Sequence, residues 1–211
     1  MAAETPSGLL HLRTWLPEEL DQRFSTWCND HHLEQLAVPG FLRVRRFELA
    51  RSAATEPPRF LTIYDLERLE VLRSDAYAEY GRRSPGLPEF LKGRLRAART
   101  EAWLVAGVPA VGGVVPGGDG LAHLFVPDGP DLTEWFADAG LGLLDAVGGT
   151  AARLLRAGAG EQLVMVELGA VPSELDPAEL PLPDGVVPGV GWGLYRLAYL
   201  ATPDGAPRIA S

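Results

Sequence analysis

The chain has 211 residues, 46% of them hydrophobic and 22% charged, a composition that suits a globular protein of one large domain or two domains of about 100 residues. A net charge of −9 argues against a general binder of nucleic acid or anionic membrane, which needs clustered positive charge. The single cysteine excludes an internal disulfide, the N-terminus lacks a signal-like apolar core, and no apolar run approaches the ~18 residues of a membrane span, so a cytoplasmic protein is expected.

In chain order, Leu9 to Trp15 alternates as a strand, with Leu10, Leu12 and Thr14 on one face and His11, Arg13 and Trp15 on the other. Pro17-Glu18-Glu19 opens a helix, since proline and acids both suit a helix start. Leu20, Phe24, Trp27 and His31 recur at helical spacing as its buried stripe, and the helix is expected to end near His32. Pro39-Gly40 then turns the chain into a strand from Phe41 to Leu49, with Leu42 and Val44 opposite Phe41, Arg43, Arg45 and Phe47. A strand from Phe60 to Leu66, a helix from Glu67 to about Gly81 and a strand from about Arg99 to Ala106 follow, completing β-α-β-β-α-β.

Residues 107–119 are a Gly/Pro-rich linker. Beyond it the chain begins again. Gly8-Leu9-Leu10-His11-Leu12 is echoed by Gly120-Leu121-Ala122-His123-Leu124, which differs only at the third residue. Asp131 to Val147 reads as a helix, Thr150 to Ala157 and Gln162 to Leu168 as strands, Val171 to Leu180 as a short proline-broken helix, and Trp192 to Thr202 as the last strand. Two degenerate copies of one unit, over 1–106 and 120–202 with a tail at 203–211, account for the pattern.

A β-α-β-β-α-β unit makes an antiparallel sheet with both helices on one face, and two such sheets can pack to close an α+β barrel. The strand faces turned away from the helices are expected to carry His11, Arg13, Trp15, Arg43, Arg45, Thr62, Tyr64, Glu101 and Trp103. Such a mixed face suits a wet, ligand-sized interior better than a dry core. Arg43 and Arg45 can instead face solvent or pair with Glu101.

The stretch Trp27-Cys28-Asn29-Asp30-His31-His32-Leu33, followed by Pro39-Gly40-Phe41 and by Tyr64-Asp65-Leu66, resembles the EthD-like branch of the dimeric α+β barrel superfamily. The likeness spans roughly residues 8–106, and the second copy keeps the layout without the motif. It implies ferredoxin-like halves, with the second replacing the partner subunit of a homodimer. It also implies small, often aromatic or polyketide-derived ligands, handled by cofactor-free monooxygenases, isomerases, cyclases or decarboxylases. Under the resemblance the family histidine is His32, whereas helical spacing selects His31. His32 is preferred because a helix ending there would be unwinding, and spacing fails at frayed ends.

His32 is the candidate general acid or base, since neutral imidazole can take and give a proton; the alternative is a C-terminal helix cap. Tyr64 is the second catalytic candidate, able to orient a substrate oxygen. His11, Arg13, Arg43, Arg45, Trp27, His31, Trp103 and His123 are candidate ligand contacts, each with a structural alternative as wall, pair or filler. Cys28 reads as an inert buried thiol. Adjacent histidines on a helix diverge by about 100°, no spaced zinc pattern occurs, and no P-loop, dinucleotide fingerprint or Gly-x-Ser-x-Gly elbow is present, so no metal or cofactor is expected. The expectation is an acid–base or oxygenating enzyme of specialised metabolism, or alternatively a non-catalytic binding or accessory protein. It is expected to bind a small molecule and neither nucleic acid nor membrane, as a monomeric pseudo-dimer or weak homodimer.

Overall fold

The computed structural model describes residues 7–108, 118–158, 160–186 and 189–209. The chain forms two compact units, one drawn from 1–46, 58–101 and 198–211 and the other from 47–57 and 102–197. Among the described residues no helix is long and apolar enough to cross a membrane. Residues 109–117 of the expected linker lie outside the described residues.

The first repeat runs β1 (Gly8–Trp15), α1 (Asp21–Leu36), β2 (Phe41–Ser52), β3 (Phe60–Leu66), α2 (Asp75–Arg83) and β4 (Arg96–Val108). Its strands lie in the order β2-β3-β1-β4, the ferredoxin-like arrangement. The second runs β5 (Gly120–Val126), α3 (Thr133–Val147), β6 (Gly149–Ala157), β7 (Gln162–Leu168) and β8 (Gly193–Ala201), with β9 (Arg208–Ile209) paired to the end of β8. Its order, β6-β7-β5-β8, repeats that of the first. The fold is α+β, with the ferredoxin-like strand order occurring twice along the chain. The short helix expected over 171–180 is only a 3-10 turn at Pro177–Glu179. Pro172, Pro177 and Pro181 each remove a backbone donor there, so a longer helix cannot form.

Helix α1 does not end at His32. Leu33-Glu34-Gln35-Leu36 are good helix formers, and nothing breaks the helix before Pro39. The buried stripe is Phe24, Cys28, His32, Gln35 and Leu36 rather than Trp27 and His31. Within the helix, counting by four from Phe24 selects Cys28, His32 and Leu36, whereas a step of three selects Trp27. Gly40 then turns the chain at φ +91°, with the Val71 side chain against the place of a Cβ.

The register of β1 on β3 decides the faces. Leu10 lies opposite Tyr64 and Leu12 opposite Thr62, on the face that packs with Leu36, Val44 and Leu72 beneath the helices. Leu9, His11 and Arg13 lie opposite Asp65, Ile63 and Leu61 on the other face. The expected grouping of Thr62 and Tyr64 with His11 is therefore corrected by one residue of register, which exchanges every inside and outside position. The same correction applies to β4. Thr100 and Ala102 are its buried residues, Glu101 is held by Arg73 and Arg99, and Trp103 is 39% exposed.

The two repeats share detail beyond strand order. Gly8 stands opposite Leu66, and a Cβ there would lie 2.8 Å from the Leu69 amide nitrogen. Gly120 stands opposite Leu168, and its Cβ would lie 3.0 Å from the Val171 nitrogen. Next to each glycine, Leu9 faces Asp65 and Leu121 faces Glu167, and both carboxylates are buried. Asp65 pairs with Arg43 at 2.7 Å and Arg45 at 3.1 Å, and Glu167 pairs with Arg153 at 2.6 Å. The second unit's own core centres on Trp192, Phe136 and Leu143, with the Trp192 indole donating to Pro181 O at 2.9 Å.

Gly8→Ala is expected to destabilise the protein by about 1–3 kcal/mol, because backbone occupies the space a methyl would need. Gly81→Ala, within α2 and with nothing near its Cβ position, is expected to stabilise it by about 0.5–1 kcal/mol. Guanidinium unfolding midpoints of the two variants check both signs.

Candidate functional site

Four elements of the first unit bring a polar cluster together beneath α1. The helix lines up Cys28 and His32, β3 raises Tyr64, β2 supplies Arg46, and the last residues of β8 supply Tyr199. The Tyr64 hydroxyl and His32 Nδ1 are hydrogen-bonded at 2.6 Å. Both residues are buried, His32 being 2% exposed and Tyr64 0%. The second imidazole nitrogen, Nε2, has no hydrogen-bond partner among the described residues. His32 also packs on the Tyr199 ring, centroid to centroid 5.4 Å.

Burial is the main cause of the shifted acidities here. It holds the His32 imidazole well below its ordinary value, helped by the Arg46 charge and then by His31. It likewise pushes the Tyr64 phenol well above its usual range. At neutral pH the pair is therefore neutral imidazole and neutral phenol. A phenol can donate to Nδ1 or accept from it, so Tyr64 leaves both imidazole tautomers accessible. His32 Nε2 can then present either a proton or a lone pair, which is what an acid–base group requires. Burial also pushes the Cys28 thiol up to about 12, which agrees with an inert sulfur.

Aromatic rings continue outward from this pair. Tyr64 meets Phe41 edge-on at 5.6 Å, and Phe41 stacks on Tyr77 of α2 at 5.7 Å. Tyr77 stacks on Tyr80 at 6.0 Å, and the Tyr80 hydroxyl is 3.0 Å from His31 Nε2. His31 in turn stacks on Trp27 at 5.1 Å. Trp27 and His31 therefore form the half-buried flank of α1, one position from the stripe that holds His32. Burial lowers the His31 imidazole too, with Glu34 opposing the shift.

The remaining expected contacts lie elsewhere. His11, Arg13, Arg43 and Arg45 are on the sheet face opposite the His32–Tyr64 pair, so the arginines are not placed to assist it. Arg13 donates to Thr100 Oγ1 at 3.3 Å, and Arg43 and Arg45 engage Asp65 rather than the suggested Glu101. His123 is buried in the second unit, edge-on to Tyr195 at 6.2 Å. Among the described residues no group of three or more His, Cys, Asp or Glu is arranged to hold a metal ion. A hollow of about 460 Å³ beside the end of α1, lined by Leu33, Val38, Phe41 and Thr202 among others, offers no titratable group.

Arg46 and Tyr199 are missing from the sequence-based candidates. The signal for Arg46 is present: strict alternation through Arg43-Val44-Arg45-Arg46 puts Arg46 on the face of Val44, where an apolar residue is expected. Its Nη1 donates to Asn29 Oδ1 at 2.9 Å and to Ser25 O at 3.4 Å.

The lowered imidazole has a signed consequence for stability. Below pH 6.5 the unfolded chain takes up a proton at His32 that the folded chain refuses, so stability falls as pH drops from 6.5 toward the lower folded value, by up to about 1.4 kcal/mol per pH unit. Above pH 6.5 both states are neutral there and the contribution is flat. His32→Gln is expected to flatten the acid limb of stability measured by urea unfolding across pH. An NMR titration should find His32 the later of the two helix histidines to protonate.

No protein-family model matches the chain, and no curated protein matches it. Among solved structures, the chain is similar to an anthrone oxidase-like protein, with a TM-score of 0.66, 13% identity and 97% of each chain covered. It is also similar to a candidate monooxygenase from Fusobacterium nucleatum subsp. nucleatum, at a TM-score of 0.55 and 11% identity over 100% of each chain. A candidate monooxygenase from Lactobacillus acidophilus superposes with a TM-score of 0.53 and 10% identity, covering 97% of this chain and 100% of the other. At such identities the likeness is one of fold alone.

Proposed function

We propose that the chain is a small-molecule enzyme working without a bound cofactor. In this reading His32 and Tyr64 perform acid–base chemistry on an oxygenated, aromatic or polyketide-like ligand. The carrying observation is the 2.6 Å His32–Tyr64 bond with the outer imidazole nitrogen left without a partner inside an aromatic surround. A substrate C–H or O–H proton passes to His32 Nε2, and the resulting imidazolium keeps its Nδ1–H, which donates a hydrogen bond to the Tyr64 oxygen. The environment that lowers the imidazole pKa makes that imidazolium a ready acid, so the proton is returned rather than kept. Enolisation followed by isomerisation, cyclisation, decarboxylation or reaction with oxygen all begin with this step. The descriptions of the similar structures as anthrone oxidase-like and monooxygenase proteins support the oxygenating branch.

We assign the first repeat to the EthD-like branch on the Trp27-to-Phe41 motif, and the whole chain to a tandem duplication. The matching surroundings of Gly8 and Gly120 and of Asp65 and Glu167 support the duplication.

A second reading, a ligand-binding or accessory protein, draws support from the burial of both His32 and Tyr64. Turnover of anthrones and hydroxylated aromatic ketones under oxygen, followed by mass spectrometry, separates the two. His32→Ala is expected to lower kcat by about 10²-fold or more, the usual worth of a general acid or base. Tyr64→Phe is expected to leave binding intact and lower kcat less. Wild-type rates in His32→Ala would remove the catalytic reading, and binding without conversion would favour the accessory one.

A further inference from the structure

Arg46 is 2% exposed, and among the described residues no carboxylate pairs with it. The contrast with its neighbours is sharp. Arg43 and Arg45 share Asp65, and Arg153 has Glu167. The partners of Arg46 are neutral groups: the Asn29 amide oxygen, the Ser25 carbonyl, the Cys28 thiol, and the Phe60 and Tyr199 ring faces at 5.9 and 5.6 Å. Its Nε finds no acceptor. A guanidinium stays protonated under such conditions, so a cation is held out of water with hydrogen bonds and ring faces offsetting part of its burial cost and no paired anion to offset the rest.

The other unmatched polar atom of this cluster is His32 Nε2, and His32 rests on the same Tyr199 ring as Arg46. A cation and a proton-accepting nitrogen thus converge on one aromatic wall. Beside α1, one flank of the cluster is lightly packed. Helix α2 contains no buried residue and meets the cluster through half-buried Tyr77 and Tyr80. Elements with so little buried surface open at low cost.

We infer that Arg46 is the receptor for an anionic ligand oxygen, the phenolate or enolate of an aromatic molecule, which it binds while His32 exchanges the proton. This rests on the acid–base reading and narrows its substrate class: the ligand must carry an acidic O–H, or a C–H that becomes an enolate, on an aromatic body. No covalent step is needed. The oxygen accepts from the guanidinium, and the ring lies against the aromatic wall.

The probe is 4-nitrophenol, compared with its neutral methyl ether 4-nitroanisole, with binding read by calorimetry and by phenolate absorbance. Wild-type protein is expected to bind 4-nitrophenolate about tenfold or more tighter than the ether, and to lower the phenol's own pKa on binding, as a charge-assisted hydrogen bond predicts. Arg46→Met is expected to abolish the preference and Arg46→Lys to keep part of it. Equal wild-type affinity for the two probes overturns the inference, as does a preference that survives in Arg46→Met. If Arg46→Met does not fold, the wild-type comparison and Arg46→Lys still decide. His32→Gln separates this from the catalytic reading, since it should keep the phenolate preference while losing turnover. A phenolate preference in a protein that converts no substrate would sink only the enzyme reading. Turnover with no phenolate preference would sink only the assignment of Arg46.

Discussion

Helix α1 is held to its sheet by a stripe that is not purely apolar. Phe24 and Leu36 are ordinary anchors, but between them Cys28 and His32 face the strands, and the histidine is secured by one short bond to Tyr64. Each partner is fully desolvated, so losing either would strand the other's polar atoms at roughly 1–3 kcal/mol. The seat of the helix and the chemistry under it therefore depend on a single contact. The acidities of both groups follow from where that contact lies, inside the unit and beside the Arg46 charge.

The other face of the same sheet handles its charges differently. Asp65 draws in Arg43 and Arg45, and in the second unit Glu167 draws in Arg153. These buried pairs are a weak source of stability but a strong source of register, because a strand shifted by one residue would strand a carboxylate and its arginines on opposite faces. The repeated carboxylate opposite a leucine, beside a glycine, pins the two central strand pairings in equivalent ways.

Much of this was legible in the amino-acid order, and the failures have physical reasons. Strand periodicity of two is short and robust, so β3 and β7 are readable to the residue. Helix phase is more fragile. From Phe24 the buried row steps by four to Cys28 and His32, and a cysteine serving as an apolar residue conceals that step beside the larger Trp27. The preference for His32 rested on a helix thought to be ending there, yet the helix runs one turn further and His32 lies in its buried row. Alternation shows which residues share a face but not which face meets the helices, so Tyr64 was grouped with His11. Arg46 was overlooked because a charge on an apolar face reads as noise until the face is known to be buried.

Gly40 joins α1 to β2 at a positive φ, its carbonyl accepts from the Glu67 amide at 2.9 Å, and the Val71 side chain fills the place where any Cβ would stand. Val71 belongs to the 3-10 turn of Leu69–Arg73 that leads into α2. The bend after the histidine helix thus bears directly on the segment that leads into α2. Any side chain at position 40 would have to displace Val71, so the close seating of the 3-10 turn on the bend depends on a residue with no side chain.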